Sequence, residues 1–219
     1  SPTSTSTKPT TAATLAWTCP PDPVVASALS LPSAEMGLRL NIVGTGGVGK
    51  TTLARRLSQV LALPHVELDA LYWGPNWTEP TPEVFRRRVG AALDRPRWVV
   101  DGNYSVVRDI IWGRADTIVW LDYGLPLILW RVTWRTVRRA ARREVLWQGN
   151  REAWGRFFSR DSMVVWVLRT YRRRRRQYRA LFADPAHAHL RKVRLRGPRE
   201  TETWLAALPR RARDEETDA

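Results

Sequence analysis

The stretch that decides the fold is "RLNIVGTGGVGKTTLARRL", residues 39–57. A short, largely apolar run leads into a loop with four glycines, then Lys-Thr-Thr, then an amphipathic segment. Residues 44–51 match the pattern G-x-x-x-x-G-K-[ST] at every fixed position. A loop that wraps closely round phosphate oxygens needs glycines, both for unusual dihedral angles and for close approach. Its N–H groups then turn inward, and the helix that starts near Lys50 adds its positive end. In this pattern the lysine reaches the β- and γ-phosphates and the next hydroxyl ligates Mg2+. The candidate nucleotide-binding residues are Gly44, Thr45, Gly46, Gly47, Val48, Gly49, Lys50, Thr51 and Thr52, with Thr51 also a metal ligand.

Outward from the loop, Leu38 to Val43 reads as a short strand. Arg39 and Asn41 make it less apolar than a strand buried on both faces, so its central place rests on the loop. Leu53, Leu57, Val60 and Leu61 give the following helix one apolar face, and it stops near Leu63-Pro64. "HVEL" (65–68), "RWVV" (97–100), "TIVWL" (117–121) and "KVRLR" (192–196) read as four more strands. Thr81-Pro82-Glu83 is a helix start, with a cap, a proline in the first turn and an early acid. Phe85, Val89, Ala92 and Leu93 form that helix's apolar face, and a short helix carries Ile110 and Ile111. Two long helices cover roughly 125–148 and 160–183, with a polar break at Gly149-Asn150, and a last helix covers 199–208. Alternating strands and helices predict an α/β fold with a mostly parallel sheet.

In such a sheet the ligand lies beyond the carboxyl ends of the strands. Three of these ends carry an aspartate: Asp69, Asp101 and Asp122. Phosphoryl transfer to a hydroxyl uses one acid to orient the acceptor and take its proton, and another on the Mg2+ side. Asp101, after two apolar residues, takes the Mg2+ role. Asp69, ahead of the aromatic "ALYWGPNW", takes the acceptor. Asp122, close to a helix start, reads as a helix cap. Tyr72, Trp73 and Trp77 either stack on the acceptor or cover their own core.

From Arg131 to Arg179 there are 16 arginines against three acids. Leu127, Trp130, Trp134, Val137 and Ala141 make an apolar stripe, with Arg131, Arg135, Arg138 and Arg142 offset by one position. Arg131 and Arg135, nearest the strand end, are the candidates to neutralise charge on a transferred phosphoryl group; a solvated outer face is the other reading. The five arginines 172–176 sweep more than one turn and cannot share a face. They either project, meet a bound anion, or grip a nucleic-acid backbone with Tyr171 and Tyr178 stacking on bases.

The bulk numbers fit an anion-binding globular domain. Of 219 residues 43% are apolar, enough for a core, and the net charge is +15 with 33 arginines. Arginine is suited to bidentate capture of phosphate or carboxylate. One cysteine, Cys19, allows no intrachain disulfide and fits a reducing, cytoplasmic setting. No run of 18 apolar residues predicts a membrane span. Residues 1–35, rich in Ser, Thr, Pro and Ala, read as a disordered extension without a signal peptide, Met36 as a translation start, 36–209 as the domain with an insertion at about 131–179, and 210–219 as a charged tail.

Four stretches, "IVGTGGVGKTTLARRL", "LPHVELDALYWGPNW", "RWVVDGNYS" and "RADTIVWLDYGLPLILWRV", together resemble the P-loop kinases of the adenylate kinase type, and most closely the bacterial DNA topology modulation proteins of FlaR type. The resemblance implies a P-loop fold with a five-stranded sheet of order 2-3-1-4-5, an arginine-bearing lid after the fourth strand, and ATP with Mg2+. It implies an Asp101 near the Mg2+ waters, an Asp69 at the acceptor hydroxyl, and adenine resting at Gly197-Pro198. Monophosphate kinases follow Asp-Gly with Phe-Pro-Arg; Asn103-Tyr104-Ser105 stands here, which favours another acceptor, with Arg86, Arg87, Arg88 or Arg108 as replacement grip. The expected function is an ATP-dependent phosphotransferase with Lys50, Asp69, Asp101, Arg131 and Arg135 catalytic, acting on a small-molecule or nucleotide acceptor. The alternative is a nucleotide-dependent nucleic-acid-binding protein.

Overall fold

The computed structural model describes residues 38–142 and 163–209, side chains included except at 139–142. The expected extension 1–35, the middle of the Arg-rich insertion with Gly149-Asn150, and the tail 210–219 lie outside the described residues. Five strands, β1 (Arg39–Gly44), β2 (His65–Glu67), β3 (Trp98–Asp101), β4 (Thr117–Leu121) and β5 (Arg191–Leu195), form one parallel sheet of order β2-β3-β1-β4-β5. Helices α1 (Lys50–Leu61), α2 (Leu68–Tyr72), α3 (Pro82–Ala92), α4 (Arg108–Arg114), α5 (Leu125–Arg142), α6 (Met163–Ala183) and α7 (Pro198–Ala206) accompany it. This is the α/β fold expected from the sequence, with the strand order that the resemblance implied. The order reverses at β1, so the chain leaves a crevice at the carboxyl ends of the central strands.

β1 is central although Asn41 sits in it. Asn41 is 1% exposed and pays no desolvation penalty. Its amide donates to the Val100 carbonyl at 3.3 Å, and the Trp112 indole donates to its oxygen at 3.0 Å. Arg39 reaches the carbonyls of Pro96 and Arg114 at the opposite end of the sheet. The helix ends follow the local chemistry. Ala62 takes a left-handed conformation to close α1, and Thr81 Oγ1 accepts from Val84 N at 3.4 Å to open α3.

Apolar side chains form a core on each face of the sheet. Leu40 and Ile42 with Leu53 and Leu57 of α1, Ile128 and Val132 of α5 and Trp204 of α7 fill one. Val43 and Val100 with Phe85 of α3 and Ile111 and Trp112 of α4 fill the other. α6 joins both. Its Val167 and Tyr171 belong to the first core and its Tyr178 to the second, so the helix crosses over the strand ends.

The α5 stripe differs from expectation. Trp130 and Trp134 are 65% and 62% exposed, while Ile128 and Val132 are buried. The face that closes on the sheet is chosen by fit against the glycine loop. Val132 lies so close to Gly47 that a Cβ there would be 2.0 Å from Val132 Cγ2. An indole has no room in that position.

Candidate active site

The phosphate loop begins where β1 ends. Gly44 has φ +149°, and a Cβ on it would stand 2.7 Å from the Leu121 carbonyl oxygen. Gly47 has φ +80° and is crowded by Val132. Both therefore have to be glycine. Val48 is fully buried and anchors the loop, its N–H donating to the Thr45 carbonyl at 3.2 Å. α1 starts at Lys50 after Gly49, which offers no side-chain cap, and has no acid in its first turn. Its first N–H groups thus have no side-chain cap acceptor, the arrangement that suits an anion. Thr52 is exposed on α1.

Asp101 closes β3 and is 4% exposed. Thr51 Oγ1 donates to its Oδ2 at 2.6 Å, and His65 Nε2 lies 2.8 Å from Oδ1. The ring is the donor there, since a carboxylate only accepts. The threonine hydroxyl keeps its lone pairs, and with Asp101 supplies the hard oxygen donors that suit Mg2+, an ion that retains several waters and leans on substrate phosphates. Lys50 stands beside this pair. Burial lowers its ammonium below the usual lysine range; Asp69 and then Asp101 pull it back up, and Arg174 and Arg135 push it down. Both sequence-selected carboxylates and two arginines thus surround the loop lysine.

Asp69 lies in the first turn of α2 rather than on a strand, because the chain turns helical at Leu68. The Tyr104 hydroxyl donates to Asp69 Oδ1 at 2.7 Å. Tyr104 is packed against Tyr72 (centroids 4.6 Å apart) and Phe85 (5.0 Å), and burial, reinforced by Asp69, raises its phenol, so it stays a donor. Trp73 and Trp77 stack edge-on in the same cluster. The loop aromatics therefore cover their own domain and brace the wall behind Asp69.

Asn103 explains the departure after Asp101-Gly102. Its side chain binds both backbone groups of Gly44: Oδ1 accepts from the N–H at 3.1 Å, and Nδ2 donates to the carbonyl. A peptide-like amide thus staples the start of the phosphate loop to the end of β3. Tyr178 of α6 donates to the same Oδ1 at 3.0 Å.

The arginines separate into two sets. Arg131 Nη1 donates to the Val48 carbonyl at 2.8 Å, and Arg135 lies in the field of Lys50. Arg174, half-buried, stacks on Trp166 with 4.7 Å from guanidinium carbon to ring centroid. Arg175 instead binds Asp122 Oδ1 at 2.8 Å, while Arg194 takes Asp122 Oδ2. Asp122 is therefore an ion-pair hub and not a helix cap. α5 starts at Leu125, two residues further on than an Asp122 cap allows, and Ile128 N donates to Gly124 O. Arg86 is held by Asp109 and the Val106 carbonyl, which commits its fork, and Arg88 donates to the Leu71 carbonyl at 3.0 Å. Tyr171 and Tyr178 are buried and hydrogen-bonded, to the Tyr123 carbonyl and to Asn103, which removes the base-stacking platform from the nucleic-acid reading.

Gly197 heads α7 at the carboxyl end of β5, two strands from β1, with open space where a Cβ would be. Among the described residues no helix is long and apolar enough to cross a membrane, and no group of three or more His, Cys, Asp or Glu side chains is arranged to hold a metal.

No protein-family model and no curated protein matches the chain. Among solved structures, a gluconokinase from Sinorhizobium meliloti 1021 is similar at 17% identity over 80% of this chain and 94% of that chain, with a TM-score of 0.46. A shikimate kinase from Bacteroides thetaiotaomicron is similar at 14% identity over 77% and 94%, with a TM-score of 0.44. The site stands on its own geometry. His65 was missed by sequence reading; Asn103 and Tyr104 were noted only as a departure from the family pattern, and Arg174 and Tyr178 only within the arginine run and its flanking aromatics. Only Asn103 and Tyr104, which follow the Asp-Gly pair, had a local signal, as part of the departure from Phe-Pro-Arg.

Proposed function

We propose that the chain is an ATP-dependent phosphotransferase acting on a hydroxyl of a small molecule. One observation carries this reading: Lys50, at the head of an uncapped helix behind a glycine loop, stands in the fields of both Asp69 and Asp101. A phosphate cradle and two carboxylates of different surroundings then share one rim, which is what hydroxyl phosphorylation needs. The loop N–H groups and Lys50 hold the β- and γ-phosphates. Thr51 and Asp101 take the Mg2+ side; the ion, when bound, neutralises phosphate charge. His65 and Thr51 fix both oxygens of Asp101 in place.

Asp69 is the acceptor-side acid. Tyr104 donates to its Oδ1, and Oδ2 is the oxygen this reading assigns to the acceptor. The acceptor oxygen forms a bond to the γ-phosphorus as the bond from that phosphorus to the bridging oxygen breaks, releasing ADP, and the hydroxyl proton passes to Asp69. Arg131, Arg135 and Arg174, the last two in the field of Lys50, are the cations this reading assigns to the charge on the phosphoryl oxygens. Gly197 lies on the rim where the adenine rests. The FlaR-type resemblance and a cytoplasmic location belong to the same reading, supported by "VVDGNYS" at the Mg2+-side acid and by the lone cysteine.

A panel of hydroxyl compounds with purified protein and labelled ATP tests it: nucleosides, nucleoside monophosphates, sugars and hydroxy acids. At least one becomes labelled, and Asp69→Asn lowers its turnover by about 10²–10⁴ while nucleotide affinity is kept, the range for loss of a general base. Undiminished transfer by Asp69→Asn would remove the assigned role.

A further inference from the structure

Two consecutive residues of α5 hold the phosphate loop. Val132 packs on Gly47, and Arg131 Nη1 donates to the Val48 carbonyl at 2.8 Å. A Cβ at Gly49 would stand 3.4 Å from the same nitrogen, so the guanidinium rests against the Val48–Gly49 peptide itself. Its other neighbour is the buried Tyr123 ring, whose centroid is 5.4 Å from the guanidinium carbon. Arg131 is half-buried, held between an aromatic ring and a backbone carbonyl.

A planar trans peptide sets its C=O and N–H on opposite sides, and no peptide bond among the described residues is cis. With the Val48 oxygen turned to Arg131, the Gly49 N–H turns the other way. Among the described residues it meets no acceptor. The Val48 N–H, by contrast, is taken by the Thr45 carbonyl at 3.2 Å. Gly49 has φ +108°, and a glycine there makes rotation of the preceding peptide easy. A rotated peptide would present a bound phosphate with a carbonyl oxygen in place of a donor. Val48 is fully buried, and a buried carbonyl needs a partner. Arg131 supplies that partner and thereby opposes the rotation.

We infer that Arg131 is a positioning residue, which fixes the Val48–Gly49 peptide so that the Gly49 N–H faces the β-phosphate of the nucleotide. This rests on the phosphotransferase reading and deepens the part given to Arg131 there. Its charge reaches the phosphate across the peptide, which a charge-assisted hydrogen bond polarises, and not by contact.

Titration calorimetry on the full chain tests it, with magnesium-ADP and with the magnesium complex of a non-hydrolysable ATP analogue. A loop peptide acts on the β-phosphate, which both ligands carry; direct contact with the transferred group acts on the γ-phosphate, which ADP lacks. Arg131→Met weakens both ligands alike, by about tenfold, the order of one charge-assisted hydrogen bond. Arg138→Met removes the same charge from an exposed position on the same helix and leaves both affinities unchanged. Loss confined to the analogue would assign direct contact and overturn the inference, as would an equal loss in Arg138→Met. Melting temperatures are followed in parallel. A lowered melting temperature with both affinities intact marks a merely structural bond, which also overturns it. If Arg131→Met does not fold, Arg131→Lys decides by the same equality of losses. Binding by wild type without dependence on Arg131 sinks the inference alone, whereas a wild type that binds neither ligand removes the phosphotransferase reading with it.

Discussion

Lys50 is held in the fold at an electrostatic cost that its substrate relieves. Burial is the main cause that lowers its titration; Asp69 and then Asp101 offset part of it, and Arg174 and Arg135 add smaller repulsions. Removal of that charge by Lys50→Met therefore leaves the melting temperature of the ligand-free protein equal to or above wild type, while phosphotransfer falls by about 10²-fold or more. Parallel thermal unfolding and turnover assays check both halves; a clear drop in melting temperature contradicts the account. Gly47→Ala acts by sterics instead. Positive φ and the contact with Val132 leave no room for a methyl group, so nucleotide binding, read by calorimetry, is lost. The glycines, Lys50, Thr51 and the two aspartates were legible because their chemistry is written in a contiguous pattern or at a strand end. Asn103 was not. Its work depends on facing Gly44, 59 positions away in the chain, and an asparagine after Asp-Gly carries no local sign of it. Asn103→Ala orphans both groups of Gly44 and the Tyr178 hydroxyl, a loss of about 1–3 kcal/mol, measurable by denaturant unfolding.

At the scale of elements, α6 decides how the site is closed. It is fastened by Arg175 to Asp122, by Tyr171 to the Tyr123 carbonyl and by Tyr178 to Asn103. Asp122→Ala leaves Arg175 and Arg194 without their acid. The cost is about 1–3 kcal/mol, below that of a fully buried pair because both arginines are partly solvated, and the loss is checked by chemical unfolding. Burial pushes the Tyr178 phenol up to about 12. Tyrosine in the unfolded chain ionises near 10, so above that pH the unfolded state binds fewer protons than the native one. Stability then falls as pH rises from about 10 to about 12, and Tyr178→Phe flattens that slope in urea midpoints across the range. The long helices themselves were readable from their periodicity, but the buried face of α5 was not. Tryptophan outranks valine in any hydrophobic pattern, yet a glycine loop admits only the smaller branched side chain.

For the whole molecule, the strand order follows from the chain's own constraints. β1 carries the loop, and because the strands run parallel the ends of β3 and β2 reach the same rim. The parallel α/β class was legible, because alternating strands and helices admit few topologies; the strand order itself was implied only by the resemblance. The tertiary pairings Tyr104–Asp69, His65–Asp101 and Arg175–Asp122 were not, since each joins positions 35 or more apart in sequence. The central claim is that this rim grips a nucleoside triphosphate. Titration calorimetry with magnesium-ATP on the full chain tests it most directly. The account predicts a saturable heat with single-site stoichiometry, abolished in Lys50→Met although that variant stays folded. No heat from wild type, or the same isotherm from both proteins, would contradict it.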